Sequence, residues 1–432
     1  MKYNRFLAWL VIVILAVVPV VLLFTLGPHK DLSTFLEITQ NLGQMAGLIG
    51  VTIFAITFIL STRIKFIEDA FGGLDKVYVA HGILGGVALG LILLHPLLLV
   101  LKFIPADFYK AAIYLLPSSY WSVNFGIIAF LSLIGLIYVT LYTKIKYNNW
   151  KFSHKFLGLV FIFAVLHIFL VRGSASRDFI FNGYYIFATV VSIIGLSGFL
   201  YTLFIKKSIV QEAFYTIESI NAKNEVYEIT LVPEGKPLDY KSGQFIFVRF
   251  YNQKLSREAH PFSVASRSNE RKLKIVVKNL GDFTSGLKNV RAGEKVSIEG
   301  PYGRFNFSKR NMDQVWLAGG LGITPFLGMA EDMKKDQRKI YLIYSVKKHE
   351  EFISYENLKE MEKENKNFKF LPWVSNEKGF LNVSEISKMV GDLKNKEFYI
   401  CGPIGFKSAI RKQLIKSNVK RDRIKEESFN FI

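Results

Sequence analysis

One cysteine in 432 residues is the first scarcity that limits this chain. A single thiol, Cys401, excludes an internal disulfide framework and cysteine-based iron–sulfur or zinc centres. Acidic residues are also few: 35 Asp and Glu against 55 Lys and Arg, a formal charge of +20. Such an excess raises the question of nucleic acid, yet no basic run with interleaved aromatics stands out, so no nucleic-acid partner is expected. The charge is read as adaptation to an anionic membrane surface. A calcium-loop pattern, an added interaction module and a long disordered segment for regulatory subunits are missing too. Constitutive activity without an obligatory protein partner is the expectation.

What the chain has is apolar length. Half of it is hydrophobic, with 38 phenylalanines, and the composition changes near Lys206 and Lys207. Residues 1–207 are dominated by long apolar runs; the remainder has the mixed composition of a soluble region. Six windows, near 6–26, 44–61, 77–101, 120–142, 153–171 and 183–205, reach the roughly 20 residues needed to span a bilayer. The first is kept as a helix, because no convincing small-residue cleavage motif follows it. Alternate loops carry 11 Lys and Arg on one side and 5 on the other. The positive-inside rule then puts both termini, and with them the soluble region, in the cytoplasm.

Polar groups are costly in hydrocarbon, so four histidines there need an explanation. His81 and His95 fall on the third helix, His154 and His167 on the fifth, which runs in the same direction. The first pair is about 21 Å apart along its axis and the second about 19.5 Å. Each helix therefore offers one imidazole near each leaflet. Fourteen residues return to within about 40° of the same face, whereas thirteen miss by about 140°. Either His154 lies at an irregular helix start or a bulge intervenes before His167. Pro96, directly after His95, is compatible with a bend. Pairing His81 with His154 and His95 with His167 makes two stacked bis-imidazole sites, the axial set of a haem held in a helix bundle. Gly82, Gly85, Gly86 and Gly90 would leave room for a flat ligand; the plain alternative is close helix packing with interhelical hydrogen bonds. His29 and His349 read as solvated residues.

From about Ser208 short alternating strands separated by turns predict a small antiparallel barrel. It contains "HPFSVAS" at 260–266, "GDFTSGL" at 281–287 and "GPYG" at 300–303. The pattern then turns to strand, glycine turn, helix in "QVWLAGGLGITPFLGMAEDMKKD", with Thr324 as the helix cap and Pro325 in its first turn. Gly319, Gly320 and Gly322 would let a pyrophosphate approach the backbone at that positive helix end. It is not the G-x-G-x-x-G fingerprint. Strands "KIYLIYSV", "FKFLPWV" and "EFYICGP" complete a parallel α/β unit. The predicted fold is thus a six-helix membrane bundle (1–207), an antiparallel β-barrel (208–310) and a parallel α/β domain (311–432).

At this point the chain resembles the ferric reductase and NADPH oxidase flavocytochromes. The resemblance rests on six helices with paired histidines, "HPFSVAS", "GDFTSGL", "AGGLGITP", "CGP" and an aromatic C-terminus, in the family's order. The histidine spacings of 14 and 13 are similar to those of the oxidase branch, and a single-chain prokaryotic NADPH oxidase is the best match. The resemblance implies two b-type haems on His81, His154, His95 and His167, FAD on the barrel and a nicotinamide dinucleotide on the last domain, a ferredoxin-NADP reductase-like module.

By the same resemblance, His260, Pro261, Phe262 and Ser263 match the flavin-binding motif, and Lys278, Gly281, Thr284 and Ser285 the stretch that holds the FAD pyrophosphate. Gly320, Gly322, Thr324 and Pro325 match the nucleotide phosphate loop, with Cys401, Gly402 and Pro403 beside the nicotinamide ring. Phe429 matches the aromatic that covers the flavin, with Phe431 as its competitor; Phe429, Cys401 and Thr324 form the expected catalytic set. Lys347 and Lys348 follow the second strand of this domain, where NADH enzymes often carry an acid, so NADPH is preferred over NADH. Arg172 and Arg177 either orient haem propionates or an anionic acceptor, or snorkel at the surface. The implied activity is electron export across the cell membrane to dioxygen, giving superoxide, or alternatively to a ferric or cupric chelate.

Overall fold

The computed structural model describes residues 5–25, 33–104, 107–143, 145, 147–171, 183–206, 212–268, 270–306, 310–333 and 337–427. The chain divides into two compact units, residues 1–209 and 210–432.

The first unit is helical: α1 (Arg5–Thr25), α2 (Phe35–Leu60), α3 (Lys65–Phe71), α4 (Leu74–Leu101), α5 (Phe108–Ile113), α6 (Trp121–Tyr142), α7 (Tyr147–Lys155), α8 (Leu157–Leu170) and α9 (Gly183–Leu200). Six stretches, in α1, α2, α4, α6, α7 with α8, and α9, are long and apolar enough to cross a membrane. The second starts at Phe35 rather than near residue 44, because a capping box begins it before the hydropathy rises. The Glu37 N–H donates to Thr34 Oγ1 at 3.3 Å, and the Thr34 hydroxyl donates to Glu37 Oε2 at 2.7 Å. Helix α4 runs through Pro96 to Leu101.

Small residues and aromatics hold these helices together. Gly43, Gly47 and Gly50 line the face of α2 that meets Leu99, His95 and Ile92 of α4, a stripe that lets the backbones approach. Phe161 of α8 packs edge-on against Phe54 at 5.5 Å and tilted on Phe58 at 5.2 Å, and Phe199 of α9 adds a third partner to Phe58 at 5.6 Å. Ile14, Val87 and Leu131 face outward, and Tyr120, Trp121 and Tyr142 are exposed at helix ends, as lipid and its interfaces require.

The second unit joins two sheets. β1 (Ala213–Lys223), β2 (Val226–Pro233), β3 (Phe245–Phe250), β4 (Ala259–Ser263), β5 (Leu273–Lys278) and β6 (Lys295–Tyr302) form an antiparallel sheet of order β4-β3-β6-β1-β2-β5. A bridge between Val264 and Ile275 brings its two ends together, so the sheet curls into the expected barrel around Ile217, Val248, Ile275 and Ile298. β7 (Gln314–Gly319), β8 (Ile340–Val346), β9 (Phe368–Val374), β10 (Glu397–Cys401) and β11 (Ile424–Glu426) form a parallel sheet of order β11-β10-β7-β8-β9. Both its faces are buried, Trp316 and Ala318 on one side and Val315 and Leu317 on the other, which is why β7 reads as an unbroken apolar run. Barrel residues Ala265, Val276 and Phe305 share a core with Trp316 and Phe326. The Ser268 hydroxyl donates to Asp332 at 2.5 Å across the same seam.

Candidate functional site

In the helical unit the four histidines meet in the expected pairs. The rings of His81 and His154 have centroids 6.2 Å apart, and those of His95 and His167 6.4 Å apart. Two imidazole nitrogens each about 2 Å from one metal, on opposite sides, put their centroids on the order of 6 Å apart. Among the described residues no group of three or more His, Cys, Asp or Glu side chains suits a metal ion. Two-nitrogen sites of this kind fit an iron whose remaining ligands come from a porphyrin.

Carbonyls fix the rings. The Nδ1 atoms of His81, His95 and His167 pair with the carbonyls of Thr57 at 3.0 Å, Gly43 at 2.7 Å and Ser122 at 2.8 Å. An Nδ1–H given to a carbonyl leaves Nε2 as the ligating nitrogen. The thirteen-residue spacing is absorbed by a break: α7 ends at Lys155 and α8 starts at Leu157. Phe156 donates to Ser153 O at 3.0 Å, a tight turn that resets the phase between His154 and His167. Room is left beside the glycines expected to provide it: a Cβ on Gly82, Gly85, Gly86 or Gly90 would meet nothing within 4 Å. Two other glycines bear on the rings directly and are not apparent from the sequence. A Cβ on Gly47 would lie 2.7 Å from His95 Nδ1, and one on Gly126 2.7 Å from His167 Nδ1. The four-residue spacing of Gly43 and Gly47 is the one signal available for the first.

In the barrel, the two flavin motifs are neighbours. His260, Pro261, Phe262 and Ser263 lie on β4, and the His260 ring stacks on Phe283 at 3.6 Å, directly in the "GDFTSGL" turn. Phe262 is half-buried and Ser263 buried. Lys278 ends β5, and Gly281 precedes a short helical turn in which the Gly281 N–H donates to Thr284 Oγ1 at 3.0 Å and the Ser285 hydroxyl to Asp282 O at 2.8 Å.

The nucleotide motifs converge at the C-terminal ends of β7 and β10. Strands β8 and β9 lie to one side of β7, β10 to the other, so these ends flank the point where strand order reverses, the usual crevice for a dinucleotide. Gly319 ends β7 and Gly320 opens the turn that follows, and a Cβ on Gly322 would collide with the Cys401 carbonyl. Gly402, at φ +155°, crosses Gly319 backbone to backbone, and Pro403 follows it. Thr324 does not cap the helix Thr324–Asp332. The turn Gly320–Ile323 is already helical, so Thr324 falls inside, and its hydroxyl donates to Leu321 O at 3.1 Å; Pro325 occupies the first turn as expected. Cys401 is fully buried, and burial, with the negative charge of Glu427 nearby, holds its thiol well above the usual range. Lys347 and Lys348 are exposed, and the Lys347 N–H donates to Glu351 Oε2 at 3.3 Å.

Glu427 is a residue that the sequence does not single out. It is 3% exposed, its carbonyl accepts from Lys407 Nζ at 2.7 Å, and its Oε1 lies 3.2 Å from where a Gly303 Cβ would stand. A carboxylate is thus placed at the seam between barrel and α/β sheet, beside Cys401. Its only signal is an acid at the end of a short strand before the aromatic tail. Phe429, Phe431, Arg172, Arg177, His29 and Lys207 lie outside the described residues.

Three family models match parts of the chain. Residues 46–165 match the ferric reductase like transmembrane component, residues 212–306 an FAD-binding domain and residues 316–412 an oxidoreductase NAD-binding domain. The chain is 27% identical over 222 residues to a flavohemoprotein of Vibrio cholerae, covering 47% of this chain and 55% of that one. It is 27% identical over 219 residues to respiratory burst oxidase homolog protein A of Solanum tuberosum, covering 44% and 22%. The chain therefore spans about half the length, or less, of these curated relatives. Among solved structures, the FAD/NAD binding domain of the Vibrio cholerae nitric oxide dioxygenase is similar at 25% identity, with a TM-score of 0.46 and coverage of 50% and 97%.

Membrane-crossing helices followed by FAD-binding and NAD-binding domains define a multi-pass membrane oxidoreductase. Within that class, the chain is similar to ferric reductases, through residues 46–165, and to a respiratory burst oxidase homologue.

Proposed function

We propose that this protein carries electrons from cytosolic NADPH, through FAD and two b-type haems, to dioxygen on the outer side of the plasma membrane, producing superoxide. The observation that carries the reading is the pair of two-histidine sites, 6.2 and 6.4 Å between ring centroids, one near each end of a membrane-crossing helix. Bound FAD would take an electron pair as hydride and release it singly, and bound haem would carry single electrons through the apolar layer.

The chain's own residues divide the work. His81 with His154, and His95 with His167, would each hold the iron of one haem, which when bound would supply one-electron transfer. The backbone of Gly319, Gly320 and Gly322 would cradle the dinucleotide pyrophosphate, with Thr324 and Pro325 behind it. Lys347 and Lys348 would take a 2′-phosphate, while Glu350 and Glu351 in the same loop offer acceptors to a 2′-hydroxyl, so NADH serves as a second donor. His260 to Ser263 would hold the flavin, and Lys278, Gly281, Thr284 and Ser285 its phosphates. Cys401, Gly402 and Pro403 would border the nicotinamide, and Phe429, with Phe431 as competitor, would shield the flavin face. Arg172 and Arg177 would either snorkel at the membrane surface or orient propionates or an anionic acceptor. The 11 to 5 bias of Lys and Arg supports cytoplasmic termini.

A second reading, reduction of ferric or cupric chelates, is favoured by the match of residues 46–165 to a ferric reductase component. One experiment separates them. Purified, cofactor-loaded protein with NADPH is expected to reduce cytochrome c in a reaction abolished by superoxide dismutase, without added partner proteins. Dismutase-insensitive reduction, together with anaerobic reduction of ferric chelates, would assign the metal instead.

A further inference from the structure

The two histidine pairs are not equivalent. Three of the four rings hold a backbone carbonyl at Nδ1, and both members of the His95 and His167 pair do so at short range, 2.7 and 2.8 Å. In the other pair His81 has its carbonyl at 3.0 Å. His154 has none: its Nδ1 is buried and finds no hydrogen-bond partner among the described residues. Its ring instead lies stacked on Trp150, one turn earlier in α7, with centroids 5.2 Å apart and planes 23° from parallel. The helix break at Phe156 explains the difference. It swings His154 into line with His81 and leaves it at the end of a nine-residue helix, held by an aromatic face in place of a polar acceptor.

A carbonyl at Nδ1–H makes an imidazole a stronger donor, and stronger donation favours the ferric over the ferrous state. A second feature acts in the same sense. The excess of Lys and Arg lies on the side of His81 and His154, 11 against 5, and positive charge favours the reduced, less positive metal. We infer that Trp150 and the unpartnered His154 Nδ1 make the His81/His154 site the higher-potential of the two. A single electron then resides at the cytosolic level, and the outward step waits for the acceptor. This rests on the haem reading above and goes beyond it by ranking the sites.

The test is an equilibrium redox titration of the full chain, loaded with haem, followed by its absorbance bands. Haem content is first counted: fewer than two per chain would remove the underlying reading, not this ranking. With two bound, the wild-type curve is expected to resolve two components of equal amplitude. His95→Leu should delete the lower one and His81→Leu the higher one. Trp150→Leu should shift only the higher component, and Trp150→Phe, which keeps an aromatic face, should restore it. A wild-type curve with a single component, loss of the higher component in His95→Leu, or a Trp150→Leu shift confined to the lower one would each overturn the inference. The wild-type curve needs no variant to fold.

Discussion

Gly47 and Gly126 form the walls against which the His95 and His167 rings rest. A side chain at either position would push into the ring 2.7 Å from its Nδ1, and packed interiors yield to such intrusion only by moving a neighbour. Gly47→Val and Gly126→Val are each expected to lower bound haem from two per chain to one, with the loss at the His95/His167 site; a pyridine haemochrome assay on purified protein reads it. At the other end of the chain the buried Cys401 thiol, held high by desolvation and by Glu427, should not react with a thiol reagent at neutral pH in the native protein. Unfolding should release one reactive thiol per chain. Native labelling at the same rate as the unfolded protein would show that β10 is not packed as described.

Elements decide which residues meet. The break between α7 and α8 is what lets a spacing of thirteen serve two stacked sites. Adding one alanine after Phe156 would rotate His154 by about 100° relative to His167. Haem at the His81/His154 level should be lost while the other site persists; retention of both would mean that the break is not the phasing device. Further along, Gly322→Ala would press on Cys401 O and force the ends of β7 and β10 apart, an overpacking expected to cost ~1–3 kcal/mol in the unit 210–432 and to raise the apparent KM for NADPH.

Much of this is legible in the chain. The apolar windows mark all six spans because lipid demands length, and the four histidines stand out because polar groups in hydrocarbon are rare. Hydropathy misplaces the start of α2 because a capping box works through Thr34 and Glu37, which hydropathy does not see. The cap expected at Thr324 fails for a related reason: a preceding helical turn moves the true start of that helix. Gly47, Gly126 and Glu427 owe their roles to partners 48, 41 and 124 residues away in the chain (His95, His167 and Gly303). Such long-range contacts leave no local pattern to read.

At the scale of the whole molecule, a unit with FAD-binding and NAD-binding domains follows a helical unit that carries two histidine pairs. Residues 210–432 hold the dinucleotide crevice and the flavin motifs, and the helical unit holds imidazoles at two levels about 21 Å apart along α4. Because the proposed electron path needs both levels, the most direct measurement is haem counted per polypeptide in the wild type and in variants that remove one pair at a time. Two haems in the wild type, one after His81→Leu with His154→Leu, and one after His95→Leu with His167→Leu are expected. A wild type that binds one haem or none when fully supplied, or a protein that keeps both after all four histidines are replaced, would contradict it.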